Sequence, residues 1–586
     1  MLRKAQILFV GAAMLLSGAA FAGTSCHLAD YGALPVEMEG NRATTMVAIN
    51  GQNTRLILDT GAMFNTMSRA NATDLKLRES MLPFDLRGSG IGGSFGVELA
   101  RVRDFGILGA TLHNVEFLVG GSDSGMAFLG ASFLDVFDLD IDLAHGKLHL
   151  MKPSDCGAQP MAYWVTDGRF ETADLLSSMN AHDRRSFVEV VINGKKIRAM
   201  LDSGSEATLL TRSAAEEVGI DLSAIGAKAA GRMAGAGAKS LQTWVVPIAS
   251  YSIGTETISN SKVLVMDGRI GLGEDAPDML LGVDFFLAHR IYIANSQRKI
   301  YFTYNGGRVF SLAQAPGDSS KPDAAATGTG DALKTADDYA LRGQADLSRG
   351  ETTAALADLD KAIGMDAGKA DWYATRARVH MRLGQPDTAM SDLDQAIKLD
   401  PSDVGNLLQR AKLKLAHKDK AGAQSDVAAA RQLAQPGSQQ SRVIAQFYIA
   451  TGQPAEALPL LDDWINLHGN DHAMGAVLND RCRARAFANV MADKALRDCR
   501  KAIKLDGASP AYLESEALAQ LRLQDYADAI TNFQQVVSQQ PRWAWARYGL
   551  GLARIRSGQP DAGNADLAAA KAINPEIGAK FEQYGI

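Results

Sequence analysis

Twice in this chain an apolar, strand-like run ends on an aspartate followed by a hydroxyl residue and a glycine. The first copy is ILDTGA (Ile57–Ala62) and the second is MLDSGS (Met200–Ser205). A lone Asp-x-Gly is ordinary loop punctuation, but these two share their surroundings. Asp59 and Asp202 lie 143 positions apart, and the same offset maps Ile49-Asn50-Gly51 onto Ile192-Asn193-Gly194. Asn-Gly between β-rich runs is a strong hairpin signal, so each aspartate is predicted to end the second strand of a hairpin. Downstream, glycine-rich GSGIGGSFG (Gly88–Gly96) answers to GRMAGAGAKS (Gly231–Ser240), and Phe128-Leu129-Gly130 answers to Leu280-Leu281-Gly282. Strand-like text closes each copy. Features recurring in one order define a tandem duplication of a β-rich lobe.

At 586 residues the chain exceeds one hydrophobic core. A formal net charge of −6 with no basic block argues against nucleic acid as a partner. Arg3 and Lys4, the apolar run Ile7–Leu16 and Ala20-Phe21-Ala22 have the layout of a secretory signal cut after Ala22. The apolar run is shorter than the roughly 18 residues a membrane span needs, and no later segment is a candidate span. The expected localisation is therefore exported, periplasmic or secreted. Export favours disulfides, and of the three possible pairings position favours Cys26–Cys156 and Cys482–Cys499. No metal-ligand spacing appears, and neither metal nor cofactor is expected.

After a Pro/Ala/Ser/Gly/Asp-rich stretch the text becomes helical and repeats every 34 residues. Ala355, Ala389, Ala423 and Ala457 hold that spacing, and after a four-residue insertion so do Ala495, Ala529 and Gly563. Leu359, Leu393, Val427, Leu461, Cys499, Phe533 and Leu567 follow one turn later. This pattern resembles the tetratricopeptide repeat (TPR), in about seven copies, whose stacked helix pairs bury a continuous core. Arg342, Arg376 and Arg410 share one repeat position, read as a solvated face in preference to a surface for acidic ligands. In the fifth copy Cys482 stands there, placed to face Cys499 across one helix pair.

Asp-Thr-Gly-Ala (59–62), Asp-Ser-Gly-Ser (202–205), the glycine-rich segments and the apolar-apolar-Gly steps together resemble the retropepsin-like aspartic peptidases. The resemblance implies a fold of two all-β acid-protease lobes facing one another, followed by an all-α TPR solenoid. It implies Asp59 and Asp202 as a catalytic pair, supported by Thr60, Gly61, Ser203, Gly204 and Ser205. It implies flaps over the substrate, carrying Gly90, Ile91, Gly92 and Gly93 in one lobe and Gly235 and Gly237 in the other. The Thr60 and Ser203 hydroxyls are expected to bond across the lobe interface. The chemistry is consistent: two carboxylates held about 3 Å apart share one proton and divide the roles of acid and base. Ser205 offers Asp202 a hydroxyl that Ala62 cannot offer Asp59, which predicts a mildly acidic optimum. Gly231–Gly237, with Met233 and Ala236 where the first copy has glycine, is expected to be the shorter or stiffer flap.

The expected organisation is a signal peptide at 1–22, lobes at 38–152 and 186–306 joined by a linker at 153–185, a flexible linker at 307–335, repeats over 336–577 and a cap at 578–586. The expected activity is endopeptidase cleavage of an extended protein or peptide in the inter-lobe cleft. The repeats would recruit substrate or partner on their concave face. The rival expectations are lobes active only as a homodimer, and a non-catalytic protein-binding scaffold.

Overall fold

The computed structural model describes residues 26–82, 86–180, 182–223, 227–271, 276–307, 309–310, 333–469 and 471–586. The signal segment at 1–22 and most of the linker at 307–335 lie outside the described residues. The chain divides into two compact units, one ending at Asp392 and the other beginning at Leu393.

The first unit is built from the two copies of the lobe. The Asn-Gly signals form hairpin turns: Asn50 and Gly51 have φ of 50° and 84°, and Asn193 and Gly194 have 51° and 81°. These positive angles suit a two-residue turn that follows the twist of its strands. Strand Arg42–Ile49 turns there into Gln52–Asp59. Thr45, Val47 and Ile49 are buried while Met46 is exposed, the period of two expected of a strand with one core face, whereas at its start Ala43 and Thr44 are buried as well. In each lobe the strand reaching the aspartate pairs in parallel with the strand carrying the apolar-Gly step. Leu58 lies opposite Leu129 and Asp59 opposite Gly130, while Leu201 lies opposite Leu281. Pairing of Arg42–Ile49 with Gly93–Ile107, and of Phe187–Ile192 with Ser240–Ile253, curls each sheet back on itself.

A third, six-stranded sheet joins the copies. Asp138–Asp142, which closes the first lobe, pairs antiparallel with His289–Ala294, which closes the second. Two segments outside the predicted lobes add to this sheet. Strand His27–Pro35 pairs with Lys147–Ser154, stapled by the Cys26–Cys156 disulfide. Strand Glu171–Asp174, inside the expected linker, pairs with Lys299–Tyr304. Residues 153–185 thus contribute structure, with Met161 and Ala162 buried beside Tyr292 and Tyr301.

The helical repeats form seven helix pairs among the described residues, from Ala336–Arg349 with Thr352–Met365 to Ala544–Arg556 with Pro560–Ile573. The alanines of the 34-residue period, from Ala355 to Ala529, are fully buried, so paired helices meet at small residues. The arginines at the shared repeat position are engaged within their own repeat and not merely solvated. Arg342, Arg376 and Arg410 each make a two-pronged ion pair with Asp358, Asp392 and Asp426 of the same repeat. Where Cys482 bonds Cys499, the neighbouring Arg481 takes over the carboxylate, at 2.8 Å through both nitrogens to Asp498.

The first helix pair belongs to the lobe unit. Gln344 accepts from the Met38 backbone at 3.2 Å, the Ser348 hydroxyl donates to Gly40 O, and Arg349 donates to Leu287 O. Ala345, fully buried, is part of the lobes' own hydrophobic core. Ala345→Glu is therefore expected to cost the lobe unit roughly 2–3 kcal/mol in calorimetric unfolding of the full chain. Ala354→Glu, at an exposed position of the same helix pair, should change it by less than about 0.5 kcal/mol.

Candidate active site

Each aspartate ends its strand at a turn whose backbone N–H groups fold back onto the carboxylate. Asp59 Oδ1 accepts from Gly61 N at 2.9 Å and Ala62 N at 2.7 Å. Asp202 Oδ1 accepts from Gly204 N at 3.0 Å and Ser205 N at 3.1 Å. The residue between aspartate and glycine ties one loop to the other. Thr60 Oγ1 donates to Leu201 O at 2.8 Å and accepts from Ser203 N at 3.0 Å. Ser203 Oγ donates to Leu58 O at 2.8 Å and accepts from Thr60 N at 3.1 Å. All four groups are satisfied in a buried place where an orphan would be costly.

The glycines are explained by what faces them. A Cβ on Gly61 would stand 2.3 Å from Cγ of Asp202, and one on Gly204 would stand 2.3 Å from Cγ of Asp59. Each loop glycine lies against the carboxyl group of the other lobe. Neither has a positive φ among the glycines that do, so close approach, more than turn geometry, requires glycine here. The same logic accounts for the apolar-Gly steps: a Cβ on Gly130 would stand 2.3 Å from Phe64 O, and one on Gly282 would stand 2.3 Å from Ala207 O.

The two carboxyls are electrostatically one unit. Burial and the charge of Asp202 hold Asp59 well above the ordinary carboxylate range. Asp202 is also raised, by burial, against the opposing effects of a hydrogen bond from Asp59, the Gly204 and Ser205 N–H groups and the Arg185 charge. The pair therefore titrates as a unit and retains one proton between its two carboxyls. Asp202 is 9% exposed and Asp59 partly exposed, so the pair is largely desolvated without being sealed.

Ser205 does not act as its sequence position suggested. Its hydroxyl donates to Ala207 O at 2.8 Å, while its backbone N–H serves Asp202 as Ala62 N–H serves Asp59. Arg185 adds a charge that favours the ionised form of Asp202; it is itself held by Asp183 at 2.8 and 2.7 Å and was missed in the sequence because it lies outside the duplicated motif.

The flap residues meet tip to tip. Gly92 N donates to Ala236 O at 2.9 Å, Lys239 N donates to Gly92 O at 3.1 Å, and Ser122 Oγ donates to Gly237 O at 2.5 Å. Gly90, Gly92 and Gly237 are in such close contact that a Cβ on any of them would overlap the facing flap, and Gly235 lies on Ile91. Gly93, with φ of 101° and open space around it, serves the turn itself. Ile91 reaches across to the second lobe's apolar patch of Met200, Leu209, Leu264 and Leu280. The second flap is the shorter in paired length: Lys228–Ala234 pairs along Ser240–Val245, whereas Arg87–Gly90 and Glu79–Met81 together pair along Gly93–Ala100.

Behind the loops the lobes differ. In the first, Asn65 Oδ1 accepts from Gly130 N at 3.0 Å. In the second, Gly282 N donates to Thr208 Oγ1, which donates to Asp284 Oδ1 at 2.7 Å. Asp284 is 2% exposed, and burial pushes its carboxyl up to about 6. The offset of 152 that aligns the Gly steps also aligns Ser132 with Asp284, the one signal that marked it.

The family model described as aspartyl protease matches residues 45–133 and 188–285, and a tetratricopeptide repeat model matches 341–404 and 515–576. The chain joins retropepsin-like aspartyl protease lobes to tetratricopeptide repeats. No curated protein matches it at a significant level. Similar solved structures include the Cut9–Hcn1 hetero-tetramer of the APC/C (15% identity, 43% of this chain and 49% of that chain, TM-score 0.32). A tetratricopeptide repeat protein from Parabacteroides merdae (12%, 42% and 98%, 0.33) and the type IV pilus biogenesis factor PilW (16%, 36% and 98%, 0.30) are further examples. The chain spans about half the length of the first of these.

Two outcomes follow for the protease lobes. Gly204→Ala must push the Asp59 loop away, and it is expected to cost about 1–3 kcal/mol of stability and about a hundredfold in any hydrolytic rate. Asp284 gives the second. Between its unfolded value of about 3.9 and about 6, the folded chain holds a proton the unfolded chain has lost. Stability therefore falls as pH rises through that window. In denaturant titrations Asp284→Asn should flatten the slope by up to about 1.4 kcal/mol per pH unit, leaving the dyad's contribution, which has the same sign.

Proposed function

We propose that the chain is an exported aspartic endopeptidase in which Asp59 and Asp202 share one proton and hydrolyse an extended peptide, with the repeats recruiting a protein substrate or partner. The observation that carries this reading is the reciprocal packing of each carboxyl against the other loop's glycine. That arrangement desolvates two acids together and forces them to share a proton.

In the reaction Asp202, ionised and facing the Arg185 charge, takes a proton from water as the water attacks the scissile carbonyl carbon. Asp59 gives its proton to the carbonyl oxygen, and the departing nitrogen is then protonated from the pair. The flaps, whose backbones already pair with one another, offer the same groups to an extended substrate backbone. Because the Thr60–Ser203 bonds lie within one chain, this reading needs no second copy. The Cys26–Cys156 and Cys482–Cys499 disulfides, with the segment ending at Ala22, support export to an oxidising compartment. Among the described residues no helix is long and apolar enough to cross a membrane.

Hydrolysis of an unstructured protein, followed from pH 3 to 8 with the mass of the active species measured alongside, tests this. Asp59→Asn and Asp202→Asn should each lower the rate by roughly 10²–10⁴-fold in a monomeric protein. The profile should peak in mild acid, because both carboxyls are raised and the active form holds one proton between them. Arg185→Gln should move the acidic limb to higher pH, since Asp202 then loses a charge that favours its ionised form. A peak at about pH 2, or activity surviving either asparagine, would defeat the shared-dyad reading. Silence of the wild type at every pH would favour a binding scaffold.

A further inference from the structure

The segment that follows the seventh repeat does more than cap it. Helix Ile577–Gln583 sets Phe581 against Trp545 and Tyr548, with ring centroids 4.4 and 4.7 Å apart. The chain then runs back over repeats six, five and four. Tyr584 stacks on Phe487 at 4.2 Å and 10° between planes, and its hydroxyl donates to Ile449 O at 3.4 Å. Arg522 donates to Gly585 O at 2.7 Å and to Tyr584 O. Gln583 lies directly on Gly452, at the turn after Ile449. Every one of these partners belongs to, or directly follows, the first helix of its repeat: Gln439–Ala450, Met474–Ala488, Pro510–Arg522 and Ala544–Arg556. The segment lies in the groove those first helices line.

Its contacts have the character of ligand recognition. Arg522 reads two backbone carbonyls, which any extended peptide supplies, while its Nε holds Ala486 O at 2.8 Å and so is fixed in advance. Phe487, 4% exposed in the full chain, offers an aromatic face to one aromatic side chain. Tyr584 and Ile586 are only partly buried and Gly585 is exposed, so the segment rests on the core and is not interlocked with it. On the same faces, one and two turns back, stand Arg483 and Glu514. Glu514, 1% exposed, pairs with Arg483 at 3.8 Å, and Arg483 in turn lies over the Phe487 ring at 5.2 Å.

Building on the reading that the repeats recruit a partner, we propose that residues 583–586 are a displaceable internal occupant of this groove and gate its access. The partner it fits is an extended peptide with an aromatic side chain that stacks on Phe487 and presents its backbone carbonyls to Arg522. A short tether holds the internal segment at an effective concentration on the order of millimolar, so a partner engages only when it outcompetes that segment. The proposal concerns the repeats alone and stands or falls independently of hydrolysis by the lobes.

The test is fluorescence anisotropy with labelled peptide FEQYGI, the sequence of residues 581–586. The peptide is titrated against the full chain and a chain ending at Glu582, which keeps the Phe581 anchor. The shortened chain should bind at least about tenfold tighter than the full chain. FEQSGI should bind at least about tenfold more weakly than FEQYGI, and so should FEQYGI to the shortened chain bearing Arg522→Ala. Should the shortened chain fail to fold by circular dichroism, Tyr584→Ser in the full chain carries the same expectation. Equal binding by the full and opened chains would overturn the proposal, as would indifference to Arg522→Ala. A full chain that is dimeric, and becomes monomeric when 583–586 is removed, would assign the segment to exchange between copies and overturn it as well.

Discussion

Two hydroxyl groups hold the site together. Thr60 and Ser203 each donate to a carbonyl and accept from an N–H of the opposite loop. Only a hydroxyl is small enough to lie between the loops and able to donate and accept at once. Because the web is neutral, it brings the loops together without placing a fixed charge beside the carboxyls, which remain free to settle their proton between themselves. The glycines on either side complete the fit, since any side chain there would separate the acids that the hydroxyls draw together. The parallel strand pairs and apolar-Gly steps behind the loops then read as supports that hold four backbone segments close enough for this web to form.

The same need for a fixed inter-lobe distance explains the shared sheet. Backbone pairing of Asp138–Asp142 with His289–Ala294 sets the lobes' relation by hydrogen bonds that cannot slide without flipping side chains to the wrong face. The sheet also carries a buried ion pair, with Arg290 gripping Asp140 at 3.0 and 2.7 Å beneath Tyr163 and Trp164. Breaking such a pair is costly even where forming it gains little, so it penalises misdocked lobes more than it stabilises docked ones. The first helical repeat extends this rigid base through Ala345 and Gln344, which makes it part of the lobes' framework and not a module hung on a linker.

What was legible in the sequence follows from the range of the forces involved. The Asn-Gly hairpins, the period-two strands and the 34-residue helical repeat are written in local rules, and the Cys482–Cys499 bond follows from the repeat period. The duplicated motif exposed the dyad because internal symmetry substitutes for a second sequence. Residues that act through the assembled fold left weaker traces. Arg185 lies upstream of the motif, and the strand at Glu171–Asp174 is too short and polar to stand out from a linker. Ser205 misled because a hydroxyl next to a carboxylate has several acceptors within reach, and the nearest here was Ala207 O. The path of residues 583–586 depends on the curvature of four repeats, which no local pattern records.

Duplication yields two like halves, yet the proposed hydrolysis asks them to behave differently, one as acid and the other as base. If the halves were identical in their surroundings, the shared proton would sit equally on either carboxyl, and the direction of proton flow would be left to the substrate. The second lobe breaks that symmetry from outside the motif. Arg185 adds positive charge that favours an ionised Asp202, and the frame of Thr208 and Asp284 replaces the neutral Asn65 of the first lobe. The motif itself, with its matched N–H donors and mirrored glycines, stays symmetric. Such a division is what the geometry demands: the loops must match for the hydroxyl web to close, so the difference that orders the proton has to come from residues standing behind them.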